Sequence, residues 1–387
     1  MRKIAATLFA FGLLLAACAG GDSIAIEEDG LTVSEAADAL VASALAEQEA
    51  EEAEEAQEST TTTAAPDTSA AVTTTTAVAE TTTTAVAAPS AARSLEPDCS
   101  AVGRVGIGVQ TGTLTSGGVD YDYQWTVPSS YTGEPIPVVL DFHGIGSNGA
   151  QQAVFSGWAA AAEANGFLAI QPTGTMVPGD DRASWELPQF DTDLRDDVAM
   201  VVDLLDLAAA NICIDPARVY ATGMSNGGLF TSELICDLGD RIAAAMSVAG
   251  VTHDDSCSPS RAVPYIAFHG IDDTVVPFNG GGESTLSGAD GSSAFFEQVM
   301  PDEFAEFASD FGCTGSTDNA VTAEITETAY SGCADDVELS FYAIAGAGHT
   351  WPGSIVSSAI ASLGVTNLDI DATAVGWEFF SRHSLGE

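Results

Sequence analysis

From about residue 98 onward, short runs of consecutive apolar residues alternate with longer stretches of helical periodicity. Apolar runs of this length are typical of strands buried on both faces of a parallel sheet, and the intervening stretches are typical of covering helices. We therefore predict an α/β fold, with a mostly parallel central sheet and helices on both faces. The predicted strands are "IPVVLDFHG" (136–144), "FLAIQP" (167–172), "RVYATGMS" (218–225), "AAAMSVAG" (243–250), "VPYIAFHG" (263–270) and "VELSFYAIAGAGH" (337–349).

The segments between these strands have the periodicity of helices, and two further segments differ from both patterns. Residues 108–131 alternate and turn like an antiparallel hairpin, and glycine-rich 279–293 is predicted to be a long surface loop. The predicted helices are 153–166, 194–211, 226–238, 301–312 and 371–383, the last with Asp371 as its N-cap.

The first residues have the pattern of an export signal. Arg2 and Lys3 precede the apolar run "IAATLFAFGLLLAA", and residues 1–17 are too short for a strong membrane span. The following "LAAC" resembles the lipobox of bacterial lipoproteins, which implies that Cys18 is lipidated and becomes the N-terminus. The alternative is an ordinary secretory signal with an incidental cysteine. We expect a lipid-anchored protein on the extracellular face of the membrane, or a secreted one.

Residues 18–97 cannot form a core. They are acidic and then rich in Thr and Ala, without an aromatic residue. Such a composition buries too little apolar surface to offset the entropy of ordering. We predict a disordered linker over 18–97, followed by one folded domain over 98–387.

Charge and motif content exclude several classes of partner. The chain has 56 acidic residues against 10 Lys and Arg, a formal net charge of −46. This charge repels nucleic acid and anionic lipid, so neither is an expected partner beyond the lipid anchor itself. No dinucleotide, phosphate-loop or metal-ligand spacing is present, and we expect no cofactor and no metal.

Six cysteines follow Cys18, an even number that predicts disulfides in an exported protein. Nearness in sequence favours two pairs and elimination gives the third. The predicted pairs are Cys236–Cys257, Cys313–Cys333 and Cys99–Cys213.

One serine lies in a turn between a predicted strand and a predicted helix. "GMSNG" places Ser225 between Gly223 and Gly227, after "RVYAT" and before "LFTSELICDL". A nucleophile elbow requires this strand–turn–helix setting, and the glycines relieve crowding in so tight a turn. Unpaired amides at the start of the helix suit a developing oxyanion. The short GxSxG pattern alone is weak, so the prediction depends on partners for Ser225.

A nucleophilic serine requires a base, and the base requires an acid that orients it. His349 is the candidate base, because it follows a predicted strand in the glycine-flanked loop "AGAGHTWPG". "FHGIDDTVVPF" ends another strand and offers two acids, Asp272 and Asp273. The other histidines are interpreted as non-catalytic: His143 and His269 support turns, His253 lies in a solvated loop and His383 lies near a helix C-terminus.

The strand end "DFHGIGSNG" is the candidate for an oxyanion hole. Glycines directly after a strand allow backbone amides to face a ligand. The second amide would come from Asn226, the residue after the serine.

Together, "LDFHGIGSNG", "ARVYATGMSNGGLFTSELIC", "AAAMSVAG", "HGIDDTVVPF" and "GAGHTWPG" resemble the polyhydroxybutyrate depolymerase/feruloyl esterase-like family of exported α/β-hydrolases. The resemblance covers about 97–383 and implies the α/β-hydrolase fold. It implies Ser225 as nucleophile, Asp273 as acid through its spacing to "VVP", and His349 as base. It also implies an oxyanion hole around Ile145 and Asn226.

The expected activity is extracellular hydrolysis of carboxylic esters through an acyl-enzyme, on a polyester oligomer or an esterified polysaccharide. "TMVPGDDRASWELPQF" departs from the family pattern, so the resemblance leaves the substrate open. Trp185 and Trp351 either stack on a substrate or pack internally. The alternatives are a non-catalytic surface lipoprotein that binds a polymer or glycan and, less favoured, a serine peptidase.

Overall fold

The structure is a computed structural model, and all of its described residues belong to the second of two units, 1–93 and 94–387. The predicted signal 1–17, the lipidation site Cys18 and nearly all of the linker 18–97 lie outside the described residues. The structure describes residues 95–97, 99, 105–177, 180–187, 195–254, 256–287 and 293–386.

The described part alternates strands and helices as the apolar pattern predicts. The strands are β1 (Gly108–Ser116), β2 (Val119–Val127), β3 (Ile136–Phe142), β4 (Leu168–Pro172), β5 (Thr175–Val177), β6 (Asp180–Ser184), β7 (Ile214–Met224), β8 (Ala244–Val248), β9 (Tyr265–Gly270), β10 (Gly282–Ser287), β11 (Ser293–Phe296), β12 (Gly315–Ala320), β13 (Ile325–Ser331) and β14 (Leu339–Ile344). The helices are α1 (Gly149–Ser156), α2 (Trp158–Asn165), α3 (Asp197–Asn211), α4 (Asn226–Asp237), α5 (Met300–Asp310), α6 (Ile355–Ser358) and α7 (Ala372–Phe380).

Ten strands form the main sheet in the order β1-β2-β4-β3-β7-β8-β9-β14-β13-β12. The six central strands, β4 to β14, are parallel, and antiparallel pairs close both edges. This is the α/β-hydrolase fold that the sequence predicts. Because the central strands are parallel, their carboxyl ends, and the loops that bear the candidate residues, lie along one edge of the sheet.

Apolar side chains cover both faces of this sheet. One cluster joins the sheet to α3, α4 and α5, and the second joins it to α2 and α7. Along β3, Leu140 and Phe142 contribute to the first cluster and Val139 to the second, as the two-residue period of a strand requires. The central strands are therefore buried on both sides.

The structure differs from the predicted elements in several places, and it also contains the hairpin of β5 and β6 and helix α6, which were not predicted. The helix predicted over 153–166 is two helices, since Gly157 has a φ of 78° between them. The loop predicted over 279–293 contains strand β10, which pairs with β11 at and beyond the end of that range. The hairpin of β12 and β13 was not predicted, because the side chains of β12 are exposed throughout and lack apolar alternation.

All three predicted disulfides are present: Cys99–Cys213, Cys236–Cys257 and Cys313–Cys333. Within the described part of the chain, no helix combines the length and apolar character needed to cross a bilayer.

Candidate active site

Ser225 lies in the tight turn between β7 and α4. Its φ of 58° and ψ of −124° fall in a region that non-glycine residues rarely adopt. The turn is held by the Ser225 amide, which donates to the Val248 carbonyl at 2.9 Å, and by the Leu229 amide, which donates to the Ser225 carbonyl at 2.9 Å. This strained backbone presents the side chain at the end of the strand, as a nucleophile elbow requires.

The glycines around Ser225 are needed because backbone passes directly beside them. A Cβ at Gly227 would lie 2.2 Å from the Phe142 carbonyl oxygen, and one at Gly223 would lie 2.3 Å from the Gly227 carbonyl oxygen. A Cβ at Gly144 would lie 3.2 Å from the Cβ of Ser225. The turn and the end of β3 are therefore packed backbone against backbone.

Asp273 and His349 meet although they are far apart in sequence. Asp273 Oδ2 lies 2.7 Å from Nδ1 of His349, and Oδ1 accepts the amides of Val275 at 2.8 Å and Val276 at 2.9 Å. Burial alone would raise the pKa of Asp273, but the His349 imidazole and the hydrogen bonds from His349 and His269 lower it below its usual range. Asp273 is therefore a carboxylate near neutral pH.

An ionised Asp273 fixes the tautomer of His349. A carboxylate only accepts hydrogen bonds, so Nδ1 of His349 must donate and Nε2 is left as the acceptor. This is the tautomer of a general base. The neighbouring Asp272 is exposed and takes no part in this contact.

The hydrogen bond expected between Ser225 and His349 is not formed in this structure. Among the described residues, the Ser225 hydroxyl makes no hydrogen bond to His349 or to another group. Catalytic hydrogen bonds of unliganded enzymes are often long and tighten when substrate binds.

His269 and His143 support turns, as the sequence indicated. His269 Nε2 lies 2.9 Å from the Val276 carbonyl and 3.3 Å from Asp273. The Gly174 amide donates to Nε2 of His143 at 2.9 Å, so Nδ1 carries the proton and donates to the Gly144 carbonyl at 2.6 Å. Burial lowers the pKa of His143 to about 4, which keeps its ring neutral.

Trp185 joins the two chain segments predicted to form the oxyanion hole. Its indole N–H donates to the His143 carbonyl at 2.8 Å. Its backbone amide donates to Asn226 Oδ1 at 2.7 Å, and Asn226 Nδ2 donates to the Trp185 carbonyl at 3.2 Å. We call these three hydrogen bonds the Trp185 clamp. Sequence reasoning missed the side chain of Asn226, which no local pattern distinguishes from other polar turn residues.

The rings of Trp185 and Trp351 are both buried. Trp185 is 3% exposed and stacks on Phe230 at 5.3 Å, and Trp351 is 1% exposed and donates from its indole to Thr373 at 2.9 Å. Of the two interpretations of these tryptophans, the structure favours internal packing, because both rings fill the core and use their polar atom there.

The hairpin of β5 and β6 is anchored beside the site by a buried cation that sequence reasoning also missed. Arg195 donates to the carbonyls of Thr175 at 3.0 Å and Ser184 at 2.9 Å, and to Asp197 at 2.9 Å. Its side chain is only 4% exposed. The sequence contains a signal for such a role, because the chain has only 10 Lys and Arg against 56 Asp and Glu, so each cation is a candidate for a specific ion pair.

One group of potential metal-ligand atoms occurs among the described residues, formed by His253, Cys257 and Asp310. Cys257 is bonded to Cys236, so the sulfur is not a thiolate ligand. This group lies outside the candidate site and adds no metal chemistry to it.

Named esterases are similar to this chain. Feruloyl esterase B of Piromyces equi is 29% identical over 228 residues, 57% of this chain and 41% of that protein. Poly(3-hydroxyalkanoate) depolymerase C of Paucimonas lemoignei is 26% identical over 156 residues, 40% of this chain and 37% of that protein. Acetyl xylan esterase from Aspergillus awamori, a solved structure, has a TM-score of 0.48 at 16% identity and covers 70% of this chain and 99% of its own. No family model matches the chain.

The chain matches less than half the length of these two curated relatives. Their names confirm the resemblance drawn from the motifs: the chain is similar to a feruloyl esterase and to a poly(3-hydroxyalkanoate) depolymerase.

Proposed function

We propose that the chain is a serine carboxylic-ester hydrolase. The observation that supports this proposal most directly is the contact between the buried Asp273 carboxylate and Nδ1 of His349, on the sheet edge where Ser225 occupies a strained elbow. A binding protein has no need of an imidazole in this tautomer or of a strained serine. The named relatives support the same activity.

In the proposed mechanism, His349 Nε2 accepts the Ser225 proton while Oγ attacks the ester carbonyl. Asp273 orients the imidazole and stabilises the imidazolium. The protonated His349 then gives its proton to the leaving alcohol, which leaves an acyl group on Ser225. Water, deprotonated by His349, releases the acid and regenerates the serine.

The amides of Ile145 and Asn226 are proposed to stabilise the tetrahedral oxyanion. The amides of Gly146 and Ser147 are used internally, on the carbonyls of Ala183 at 2.8 Å and Gly144 at 3.2 Å. The amide of Ile145 donates to no group among the described residues. Asn226 is the first residue of α4, where the helix leaves its amides unpaired and its dipole favours negative charge.

The substrate class is a polyester oligomer or a feruloylated or acetylated polysaccharide, and the place of action is outside the cell. The three disulfides support an oxidising environment. Tethering through a lipid on Cys18 is part of this proposal, and palmitate labelling that Cys18→Ser abolishes would support it.

The test is hydrolysis of p-nitrophenyl butyrate by the full chain and by Ser225→Ala. We expect kcat to fall by about 10³-fold or more, because no other group supplies the nucleophile. Ser309→Ala, an exposed serine on α5, is the matched control and should retain activity. A fluorophosphonate probe should label Ser225 in the native chain only. Equal rates for Ser225→Ala and the native chain would exclude the mechanism.

A further inference from the structure

Helix α1 is joined by buried hydrogen bonds to the strand end that bears the proposed oxyanion amide. Asp141 lies on β3, four residues before Ile145, and its side chain is completely buried. Gln152 Nε2 donates to Oδ1 of its carboxyl group at 2.7 Å, and Ser156 Oγ lies 2.7 Å from Oδ2. Two side chains of α1 therefore hold the end of β3.

The same helix is joined to the segment that follows His349. The Ser156 carbonyl accepts a hydrogen bond from the hydroxyl of Thr373, and Thr373 Oγ1 accepts from the indole N–H of Trp351 at 2.9 Å. Trp351 is two residues after His349, and both Trp351 and Thr373 are buried. These hydrogen bonds and those of Asp141 form what we call the Asp141–Trp351 network, which consists of Asp141, Gln152, Ser156, Thr373 and Trp351.

Helix α1 has little freedom to move against the sheet. A Cβ at Gly149, its first residue, would lie 2.2 Å from the carbonyl oxygen of Gln171 on β4. A second hydrogen bond joins its last turn to the His349 segment, since Ser354 Oγ donates to the Phe155 carbonyl at 2.7 Å. A base and an oxyanion donor must keep a fixed separation for catalysis, and α1 connects the segments that bear them.

The contacts of Ser156 indicate that Asp141 carries a proton. Ser156 Oγ lies 2.7 Å from Asp141 Oδ2 and 2.8 Å from the Gln152 carbonyl, but a hydroxyl has one proton to donate. With an ionised Asp141, only one of these contacts is a hydrogen bond. With a protonated Asp141, its O–H donates to Ser156 Oγ and the Ser156 O–H donates to the Gln152 carbonyl, so both contacts are hydrogen bonds.

The surroundings of Asp141 favour the same state. The side chains that face its carboxyl group are Gln152 and Ser156 from α1 and Gln171 from β4, whose Nε2 lies 3.4 Å from Oδ2. None of the three carries a charge, and the next titratable residue along β3, His143, has a neutral ring. Burial without a cation disfavours the ionised form and raises the pKa of Asp141 to about 7.

We propose that Asp141 acts in its protonated form as a positioning residue for ester hydrolysis, and that the Asp141–Trp351 network holds the His349 loop at a fixed position relative to the amide of Ile145. The kinetic part of this inference rests on the proposed function, whereas the protonation of Asp141 does not. In alkaline solution Asp141 gives its proton to hydroxide. Ser156 Oγ then loses a donor and a carboxylate is left buried without a cation, so we expect the end of β3 to loosen and kcat to fall.

The first test compares the native chain with Asp141→Asn and Asp141→Ala across the pH range. The amide of Asp141→Asn keeps a donor for Ser156 Oγ and an acceptor for Gln152 Nε2, and it cannot ionise. Between about pH 7 and 9, kcat for p-nitrophenyl butyrate should fall about fivefold more in the native chain than in Asp141→Asn. Asp141→Ala should lower kcat about tenfold throughout, with KM within about twofold of the native value.

The second test interrupts the network at Thr373, far from Asp141 in sequence. Thr373→Val keeps the shape but removes the hydroxyl between Trp351 and Ser156, and it should lower kcat about fivefold at constant KM. Thr373→Ser restores the hydroxyl and should recover kcat to within about twofold. The control is Thr126→Val, because the hydroxyl of Thr126 is buried without a hydrogen-bond partner among the described residues. Titration with a fluorophosphonate counts active molecules, so a folding defect does not register as a lower kcat.

Infrared spectroscopy separates this inference from the proposed function. In the Ser225→Ala background at about pH 6, the carbonyl stretch of a protonated carboxyl group should be present and should weaken when Asp141→Asn is added. An unchanged band, parallel pH profiles of kcat for the native chain and Asp141→Asn, or native kcat in Thr373→Val would each overturn the proposal. A native chain that hydrolyses no ester but shows the band would exclude the proposed function, and with it the positioning role, while it supports a protonated Asp141.

Discussion

The Trp185 clamp allows the proposed oxyanion hole to be perturbed through one hydrogen bond. Trp185→Phe removes the indole N–H that donates to the His143 carbonyl at 2.8 Å. It keeps an aromatic ring against Phe230 at 5.3 Å and Phe142 at 5.2 Å, and it keeps the two backbone bonds to Asn226. The change therefore loosens the end of β3 without removing the hairpin or the elbow.

The size of the effect follows from two costs. A buried carbonyl that loses its donor costs about 1–3 kcal/mol, part of which lowers the free energy of unfolding. The remaining effect is on the position of the Ile145 amide, two residues along the same loop. Removal of a whole oxyanion donor lowers kcat by about 10²–10³. A displaced donor should cost less, so we expect kcat for p-nitrophenyl butyrate to fall about tenfold, or about 1.4 kcal/mol.

The readout is the separation of kcat from KM, together with urea unfolding. KM should stay within about twofold, because the oxyanion amides act mainly in the transition state. The matched control is Trp158→Phe. Trp158 is also fully buried and stacks on Phe380 at 5.5 Å, but its indole nitrogen has no hydrogen-bond partner among the described residues. This control should lose stability and retain kcat.

Equal kcat for Trp185→Phe and the native chain, or an equal loss in both tryptophan variants, would refute the reasoning. A rise in KM at constant kcat would show that Trp185 supports substrate binding instead of the oxyanion hole.

Three further changes test other parts of the structure. Asp273→Asn should lower kcat by about 10³–10⁴-fold, because an amide no longer fixes the His349 tautomer by accepting from Nδ1. Burial raises the pKa of Asp141 to about 7 from 3.8, so its contribution to stability is full below about pH 4 and is lost as the pH rises through about 7. Asp141→Asn should therefore flatten the pH dependence of the free energy of unfolding between pH 4 and 8 by about 4 kcal/mol. Gly227→Ala should destabilise the fold by about 3 kcal/mol in urea unfolding or prevent folding, since its Cβ would lie 2.2 Å from the Phe142 carbonyl.

Each of these variants has a control in the same chain. Asp272→Asn changes the exposed neighbour of the acid and should leave kcat within about twofold; an equal loss in both would count against Asp273. Parallel unfolding curves against pH for the native chain and Asp141→Asn would contradict the raised pKa. Gly315→Ala places a Cβ 3.4 Å from the nearest atom, Ser331 Oγ, and should cost less than about 1 kcal/mol. Similar losses in both glycine variants would contradict the close-approach explanation.

Local patterns in the sequence predict the elements of the sheet well. The apolar runs give β3, β4, β7, β8, β9 and β14, because strands buried on both faces need continuous apolar residues. The same rule fails for β12, whose residues are exposed and polar, and for the break at Gly157, which helical periodicity does not register. Nearness in sequence gave two of the cysteine pairs and elimination gave the third, and all three are present.

The sequence by itself determined that Ser225 would lie in a turn between a strand and a helix, and which strand ends bear an acid and a histidine. Those features depend on residues next to one another in the chain. Only the tertiary structure placed the Asp273 carboxylate 2.7 Å from His349 and buried Trp185 and Trp351. Burial and hydrogen-bond partners are decided by packing between strands distant in sequence, and a local pattern carries no information about which strands those are.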